Sequence, residues 1–474
     1  MSGNEHPIWP FISAEEPRFR ALSDRVWATP ETCYGEHKSA AAHREELAHQ
    51  GFEITENVAN IPTAVMGEAG SGGPVIAFLG EYDALAGLSQ VADAFEETPL
   101  EAGANGHGCG HNMLGSAAML AATAVKNWLA ETGTPGRVRY YGCPAEEGGA
   151  AKTFMVRDGA FDDVDIAITW HPASIPAVMR GTSLSAARVD FTFSGRASHA
   201  AASPEHGRSA LDAMELMNIG CNYLREHMSD AARIHYAILD GGGISPNVVQ
   251  ARAKVRYVVR EIWARDMLAL IERVKKVAEG AAMMTETSVK AQVVTACSNL
   301  VPNTPLIDAM HRNMETVGPP PFSSEDQAYA EKMQATMTEA EVKSAYDFLG
   351  LDANGRAALP DFTAPADAPD TALPGSTDVA DVSWVVPTVQ HWGANYAIGT
   401  PFHSWQMVAQ GKSDHALKGM THAAQVMAMT GVDCMLSPDL REAAKADLAK
   451  RIGAEGYVCP IPAESKPPIE EMAG

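Results

Sequence analysis

The stretch PVIAFLGEYDAL, residues 74–85, is a continuous apolar run that ends in two acidic residues, Glu81 and Asp83. Apolar runs of this length are typical of strands that are buried on both faces of a parallel sheet. In an open α/β sheet, ligands bind at the edge where the carboxyl ends of the strands lie. The stretch therefore predicts an α/β fold with acidic side chains at its binding edge.

Two later stretches have the same form. RVRYYGCPAEEGG, at 137–149, ends in a pair of glutamates, and DIAITWHPAS, at 165–174, ends in His171. Between the first two runs, residues 112–133 are rich in Ala and Leu and close on a glycine, which predicts a helix. The order is β-α-β-α-β, and each strand is followed by side chains that can bind a metal.

From residue 183 the pattern changes to strand, helix, strand, strand, helix, strand, with one strand predicted over 247–260. This order matches a ferredoxin-like unit. Strand-like sequence resumes at 378–405, so the unit is an insertion. We predict a three-layer α/β/α domain with a mostly parallel sheet, formed by residues 1–182 and 300–474, and an inserted ferredoxin-like α+β domain at 183–299. Residues 319–375, rich in Pro, Asp and Ala, predict a surface loop region with one short helix.

The composition is ordinary for a globular protein, with 46% hydrophobic and 20% charged residues. The net charge of −23 argues against non-specific binding to nucleic acid or to anionic membranes. The first residues lack the basic and then apolar pattern of a signal peptide, and no apolar run reaches the roughly 18 residues of a membrane span. The seven cysteines are scattered rather than densely spaced. We therefore expect a cytoplasmic protein.

The loop GHGCGHN, at 106–112, places Cys109 and His111 two residues apart among glycines. Thiolate and imidazole suit borderline divalent metals such as zinc, and glycines let the backbone fold tightly around one centre. A following helix N-terminus would favour the thiolate. A glycine-rich turn with incidental histidines, with His107 in a packing role, is the alternative interpretation.

The segment PAEEGG adds Glu146 and Glu147, which are neighbours and therefore point in different directions. One can bind a metal while the other acts as a general base, the division of roles that a metal-dependent hydrolase needs. His171 and His403 each follow strand-like sequence. Five ligand-type side chains, with a shared carboxylate or thiolate, suit two ions about 3.5–4 Å apart. These five are Cys109, His111, Glu147, His171 and His403.

With the ordered motifs GEYDALAGL, GHGCGHNMLG, CPAEEGGAAK, TWHP, SGRASHAA and FHS, the chain resembles the dinuclear metallo-amidohydrolases over roughly residues 15–435. This superfamily includes aminoacylases, glutamate carboxypeptidases, and hippurate and auxin-conjugate hydrolases. Within it, the segments GHGCGHNMLG, TDVADVSWVVPT and HSWQ look closest to the branch of p-aminobenzoyl-glutamate hydrolase B subunits.

The resemblance implies a catalytic domain that holds two divalent ions, manganese or zinc, on the five residues above, with Glu146 as the general base. It implies that the inserted domain is a lid that mediates dimerisation. A lid histidine, here His199, would reach the partner subunit's site and stabilise the oxyanion. Asn247 and Arg260 would meet the substrate carboxylate, and Asp83 would orient a metal-binding histidine. Asn112 stands where many hippurate-type hydrolases have Asp.

The expected reaction is metal-dependent cleavage of the amide bond of N-acyl amino acids, with p-aminobenzoyl-glutamate or a related aroyl-amino acid as the favoured substrate. A dipeptidase or another N-acyl-amino-acid deacylase is the alternative within enzymes. A second alternative is a non-catalytic subunit of a heteromeric hydrolase, and a third is an enzyme with Cys109 as nucleophile, which leaves two His sites and the Glu pair unexplained. The expected partners are a small-molecule substrate and either a second copy or a homologous subunit, without nucleic acid or membrane.

Overall fold

The computed structural model describes residues 6–353 and 355–473. Its helices are α1 (Trp9–Trp27), α2 (His37–His49), α3 (His111–Thr132), α4 (Ala151–Arg157), α5 (Ala210–Leu224), α6 (Ala264–Met284), α7 (Thr304–Val317), α8 (Ser324–Gln334), α9 (Glu339–Asp347), α10 (Val379–Val385), α11 (Trp405–Gln410), α12 (Asp414–Leu436), α13 (Pro438–Ile452) and α14 (Ile469–Met472). Its strands are β1 (Glu53–Glu56), β2 (Val65–Ser71), β3 (Val75–Glu81), β4 (Gly136–Cys143), β5 (Ile166–His171), β6 (Ala177–Val178), β7 (Ser185–Ser194), β8 (Arg233–Asp240), β9 (Arg252–Glu261), β10 (Ser288–Cys297) and β11 (Thr388–Trp392). Among the described helices, none combines the length and the apolar character that crossing a bilayer needs.

The larger sheet has the strand order β1-β2-β4-β3-β5-β11-β6. Its four central strands, β4, β3, β5 and β11, run parallel, and the strands outside them pair antiparallel. Alternate residues of β3 face opposite layers: Ile76 and Phe78 pack with α1, α3 and α12, whereas Ala77 and Leu79 pack with α4 and α10. The predicted three-layer α/β/α fold with parallel central strands is confirmed.

The smaller sheet has the order β10-β7-β9-β8, and all its pairs are antiparallel. Helices α5 and α6 pack against it. The element order β7-α5-β8-β9-α6-β10 with this strand order is ferredoxin-like, as predicted. All of these elements lie within residues 183–299. The division into domains at 1–182, 183–299 and 300–474 stays a prediction.

The expectation of only strand-like sequence at 378–405 is wrong for its first part, which forms α10 before β11. Two buried aspartates fix this helix: Asp378 accepts a hydrogen bond from the backbone N–H of Lys152, and Asp381 accepts one from the hydroxyl of Thr153. A short apolar run does not by itself distinguish a buried helix from a strand. Contacts with α4, distant in sequence, decide the conformation.

Two further expectations differ from the structure. The strand predicted over 247–260 is β9, and it begins only at Arg252, so Asn247 lies in the loop before it. The segment 319–375 holds two helices, α8 and α9, rather than one. Helix α9 begins with a capping box in which Thr338 and Glu341 exchange hydrogen bonds, a local signal that the composition of the segment conceals.

Candidate metal centre

The carboxyl ends of the parallel strands bring the predicted site residues to one edge of the larger sheet. Glu81 is the last residue of β3, and His171 is the last residue of β5. Glu146 and Glu147 follow β4 after two residues, and the loop that carries Cys109 leads directly into α3. This is the edge where open α/β sheets bind their ligands.

Two tight backbone conformations draw the loops together. Gly110, just before α3, has a φ of 76°, and a Cβ there would lie 2.2 Å from the Tyr396 hydroxyl oxygen. Only glycine fits this position, which sets Cys109 and His111 on one centre. His403 also has a positive φ, 58°, and its N–H donates to the Gly108 carbonyl at 2.9 Å. The hydrogen bond holds the distant His403 loop against the Cys109 loop.

The candidate ligands form two overlapping triads that share Cys109. In one triad, the ligand atoms of Cys109, His111 and His171 lie within 4.8 Å of one another, and in the other so do those of Cys109, Glu147 and His403. The Cys109 Sγ is 3.4 Å from His171 Nε2, and the Glu147 Oε2 is 3.4 Å from His403 Nε2. The structure thus brings all five predicted ligands together, in an arrangement that suits two adjacent ions. Their binding of metal stays a prediction.

Asp83 orients His111. Its Oδ1 lies 2.9 Å from His111 Nδ1, and its Oδ2 accepts the backbone N–H of Glu147 at 2.8 Å. This contact leaves His111 Nε2 facing the cluster, where it is buried without a hydrogen-bond partner, as is Glu147 Oε1. Metal-binding histidines are commonly held in this way, by a carboxylate on the other ring nitrogen. These unpartnered sulfur, nitrogen and oxygen ligands fit divalent cations.

Replacing Asp83 by Ala is expected to weaken metal binding by about 10–100-fold, because His111 loses the partner that fixes its tautomer. Titration calorimetry of the metal-free chain with Mn²⁺ and with Zn²⁺ measures the change. Asp308→Ala, at an exposed position of α7, is the control and should leave both affinities unchanged. Equal affinities in wild type and Asp83→Ala would contradict the role of Asp83.

Glu146 lies beside the candidate ligands, and its ligand oxygen is within 4.8 Å of ligand atoms of Glu81 and His111. Burial, together with the charges of Glu81 and Glu147, raises the pKa of the Glu146 carboxyl well above its usual value. A nearby divalent cation acts in the opposite direction, because an opposite charge favours the ionised form. Glu146 is therefore placed where a proton acceptor is needed.

A buried ion network, which the sequence did not predict, lies behind the cluster. The Lys152 Nζ lies 2.6 Å from Glu81 Oε1 and 2.6 Å from Asp378 Oδ1, and all three side chains are almost fully buried. Burial lowers the pKa of Lys152, but the charges of Asp378 and Glu81 outweigh it and hold this pKa well above its usual value. A single lysine after PAEEGG carries no sequence signal for this role.

A cavity of about 260 Å³ opens beside the cluster, with walls that include Glu146, Glu147 and His403. Two arginines line it. Arg260 donates to the Ser376 hydroxyl at 2.8 Å, and Arg188 donates to the Gly148 carbonyl at 3.0 Å. We call this space the arginine cavity. It includes Arg260, as the prediction of a carboxylate-binding residue requires, and it adds Arg188, which was not predicted from the sequence.

The structure does not bring His199 and Asn247 to this cavity. Both are exposed, and the His199 Nδ1 accepts the backbone N–H groups of Ala201 and Ala202 at 3.2 and 3.1 Å. The Asn247 carbonyl accepts the N–H of Ala200. A role for His199 in the site of a partner subunit therefore stays a prediction, as does substrate binding by Asn247.

His107 and Asn112 fasten the loop to α1. The His107 ring contacts the Val26 carbonyl at 3.1 Å, in agreement with a packing role. The Asn112 side-chain amide donates to Ser23 and to the Gly411 carbonyl at 3.0 and 3.1 Å. The Asn112 amide group is therefore used in packing against α1 and α11.

Known proteins share these features. Residues 77–371 match the model for peptidase family M20/M25/M40. The chain is 45% identical to the B subunit of p-aminobenzoyl-glutamate hydrolase from Escherichia coli (strain K12), over 96% of this chain and 97% of that protein. The chain belongs to peptidase family M20/M25/M40. The predicted superfamily, and with it a hydrolase that acts on amide bonds, is confirmed.

Other M20 relatives extend the comparison. The chain is 28% identical to the Xaa-Arg dipeptidase of Mus musculus, over 94% of this chain and 92% of that protein. A dinuclear metal-binding M20 peptidase of Bacillus subtilis shares the fold, with a TM-score of 0.53 at 17% identity, over 88% of this chain and 99% of that one. The two triads on Cys109 are this chain's candidate counterpart of a dinuclear centre.

Proposed function

We propose that the chain hydrolyses the amide bond of N-acyl amino acids, with p-aminobenzoyl-glutamate as its foremost substrate and with two manganese or zinc ions as cofactors. The observation that carries the proposal is the pair of ligand triads that share Cys109, next to a carboxylate base and a cavity with two arginines. The 45% identical Escherichia coli relative, a p-aminobenzoyl-glutamate hydrolase, supports the choice of substrate.

Two cations, held by Cys109 with the two other pairs of ligands, would lower the pKa of the attacking water and polarise the scissile carbonyl. Glu146 takes the proton of that water and passes it to the leaving amine. Arg260 and Arg188 bind the carboxylate of the amino acid in the arginine cavity. His199 of a partner subunit donates a hydrogen bond to the oxyanion.

The exposed side of the smaller sheet supports an oligomer. Strand β8 lies at its edge and, with α5, exposes large apolar side chains. These are Ile219, Tyr223, Tyr236, Ile238 and Leu239. An edge strand with unpaired backbone groups and apolar side chains favours pairing with another chain. We propose a dimer through β8, either with a second copy or with a homologous subunit; the second is favoured because the Escherichia coli relative is itself one lettered subunit of a hydrolase.

Removing metal is the direct test. Treating the purified chain with a chelator is expected to abolish release of p-aminobenzoate from p-aminobenzoyl-glutamate, and Mn²⁺ or Zn²⁺ should restore it, because the candidate site has five metal-ligating side chains. An enzyme with Cys109 as nucleophile would keep its activity after chelation. Activity that survives complete metal removal would therefore overturn the proposal.

The same assay separates the other candidate functions. A peptide that ends in arginine tests the dipeptidase activity for which the mouse relative is named. If that peptide is cleaved with a higher kcat/KM than p-aminobenzoyl-glutamate, the dipeptidase alternative is correct. If the metal-loaded chain is inactive alone and stays so when a homologous subunit supplies the activity, the non-catalytic alternative is correct.

A further inference from the structure

A second cavity, of about 370 Å³, lies on the other side of the candidate ligands. Most of its wall is apolar, and helix α9 with the residues after it forms one side. The wall includes Ile175, Ala345, Phe348, Leu349, Trp392 and Phe402. We call this space the aromatic cavity.

The aromatic cavity adjoins the metal centre directly. Trp392 pairs with His171 between strands β11 and β5, and their ring centroids are 5.4 Å apart. The ring of Phe402, the residue before His403, lies 5.6 Å from the His171 ring. His171 thus has aromatic rings of the cavity wall on two sides, and a substrate bound at the metal centre reaches this cavity without crossing the protein.

One short segment lines both cavities. Leu373 and Pro374 lie in the wall of the aromatic cavity, whereas Gly375 and Ser376 lie in the wall of the arginine cavity. His403 lines the arginine cavity, and its neighbour Phe402 lines the aromatic one. The candidate ligands therefore lie between an apolar space and a space with two positive charges.

We infer that the aromatic cavity binds the acyl group of the substrate, that this group is aromatic, and that Trp392, Phe402 and Ala345 determine the specificity. This inference rests on the proposed function. In an N-acyl amino acid, the carboxylate and the acyl group lie on opposite sides of the amide bond. Arginines on one side of the metal centre and an apolar space on the other match that order.

Size and shape favour an aromatic ring. A cavity of about 150 Å³ suffices to hold benzene, so a substituted benzoyl group fits within 370 Å³. The ring faces of Trp392 and Phe402 offer offset or edge contacts to a flat ring. A small acyl group such as acetyl leaves most of this apolar surface without a partner.

The test fills the cavity. Ala345→Trp places a large side chain in the wall, and Ala340→Trp places the same side chain on an exposed position of the same helix. For each, kcat/KM is measured with 4-aminobenzoyl-glutamate and with N-acetylglutamate. Ala345→Trp is expected to lower the ratio of the two values by about tenfold or more, because the benzoyl ring loses its apolar contacts. Ala340→Trp should leave the ratio unchanged.

Phe402→Ala is the second variant, since it opens the cavity rather than filling it and removes a side chain that is 48% exposed. It should also lower the ratio. If wild type hydrolyses 4-aminobenzoyl-glutamate and both variants keep the wild-type ratio, the inference is wrong while the proposed function stands.

If wild type hydrolyses neither compound, the proposed function fails and the cavity is judged by binding. Calorimetry then measures the Kd of 4-aminobenzoyl-glutamate for chains that carry Glu146→Gln, alone and combined with each tryptophan variant. Binding weakened about tenfold or more by Ala345→Trp, and not by Ala340→Trp, supports the aromatic cavity. Equal binding in all three chains, including none, overturns it.

Discussion

Replacing Glu146 by Gln is expected to lower kcat for p-aminobenzoyl-glutamate by about 10²–10⁴-fold, the usual contribution of general acid–base catalysis. Glutamine keeps the shape of the side chain but cannot accept the proton of the attacking water. Glu146 belongs to neither of the two triads that contain Cys109, so both ions should stay bound. Metal analysis and single-turnover kinetics on the same sample measure the two effects separately.

The neighbouring residue is the matched control. Glu147→Gln alters a member of the triad with Cys109 and His403, so it should lose metal as well as turnover. Glu146→Gln should lose turnover alone. Wild-type turnover in Glu146→Gln would remove Glu146 from the mechanism, and a loss of metal equal to that of Glu147→Gln would make Glu146 a ligand instead of the base.

The sequence predicts the position of the metal centre because the parallel topology does most of the geometric work. Once 74–85 and 165–174 are assigned to neighbouring buried strands, the residues at their carboxyl ends must lie at one edge of the sheet. His171 and the glutamate pair follow from that rule alone. His403 is different, since it arrives from a distant loop that is held by its contact with Gly108, and its residue type was the only sequence signal.

The parts of the site that the sequence did not predict depend on contacts between distant segments. Lys152 has the appearance of a solvated helix residue until Asp378 and Glu81 surround it in the fold. Arg188 is one of several strand arginines, and only the packing of β7 against the loop after β4 places it at the arginine cavity. Helix α9, in a segment rich in proline, forms a cavity wall that composition alone assigns to the surface.

Replacing Lys152 by Met is expected to lower the free energy of unfolding by about 3–5 kcal/mol, the usual cost of breaking a buried ion pair on one side. Methionine matches the length of the lysine stem but leaves Glu81 and Asp378 buried without their cation. Lys445→Met is the control: that lysine pairs with Asp165, but its side chain is 45% exposed, so its loss should cost less than about 1 kcal/mol. Urea unfolding measures both changes.

The double variant Lys152→Met with Asp378→Asn shows whether the loss comes from charge or from packing. If the unpaired carboxylates cause the instability, neutralising Asp378 should recover a measurable part of it, since residues in one ion network have coupled effects. If the loss came from altered packing, the second substitution would add to it instead. Stability of Lys152→Met equal to that of Lys445→Met would show that water reaches the network, and then Glu81 would not depend on Lys152 to stay ionised beside His111.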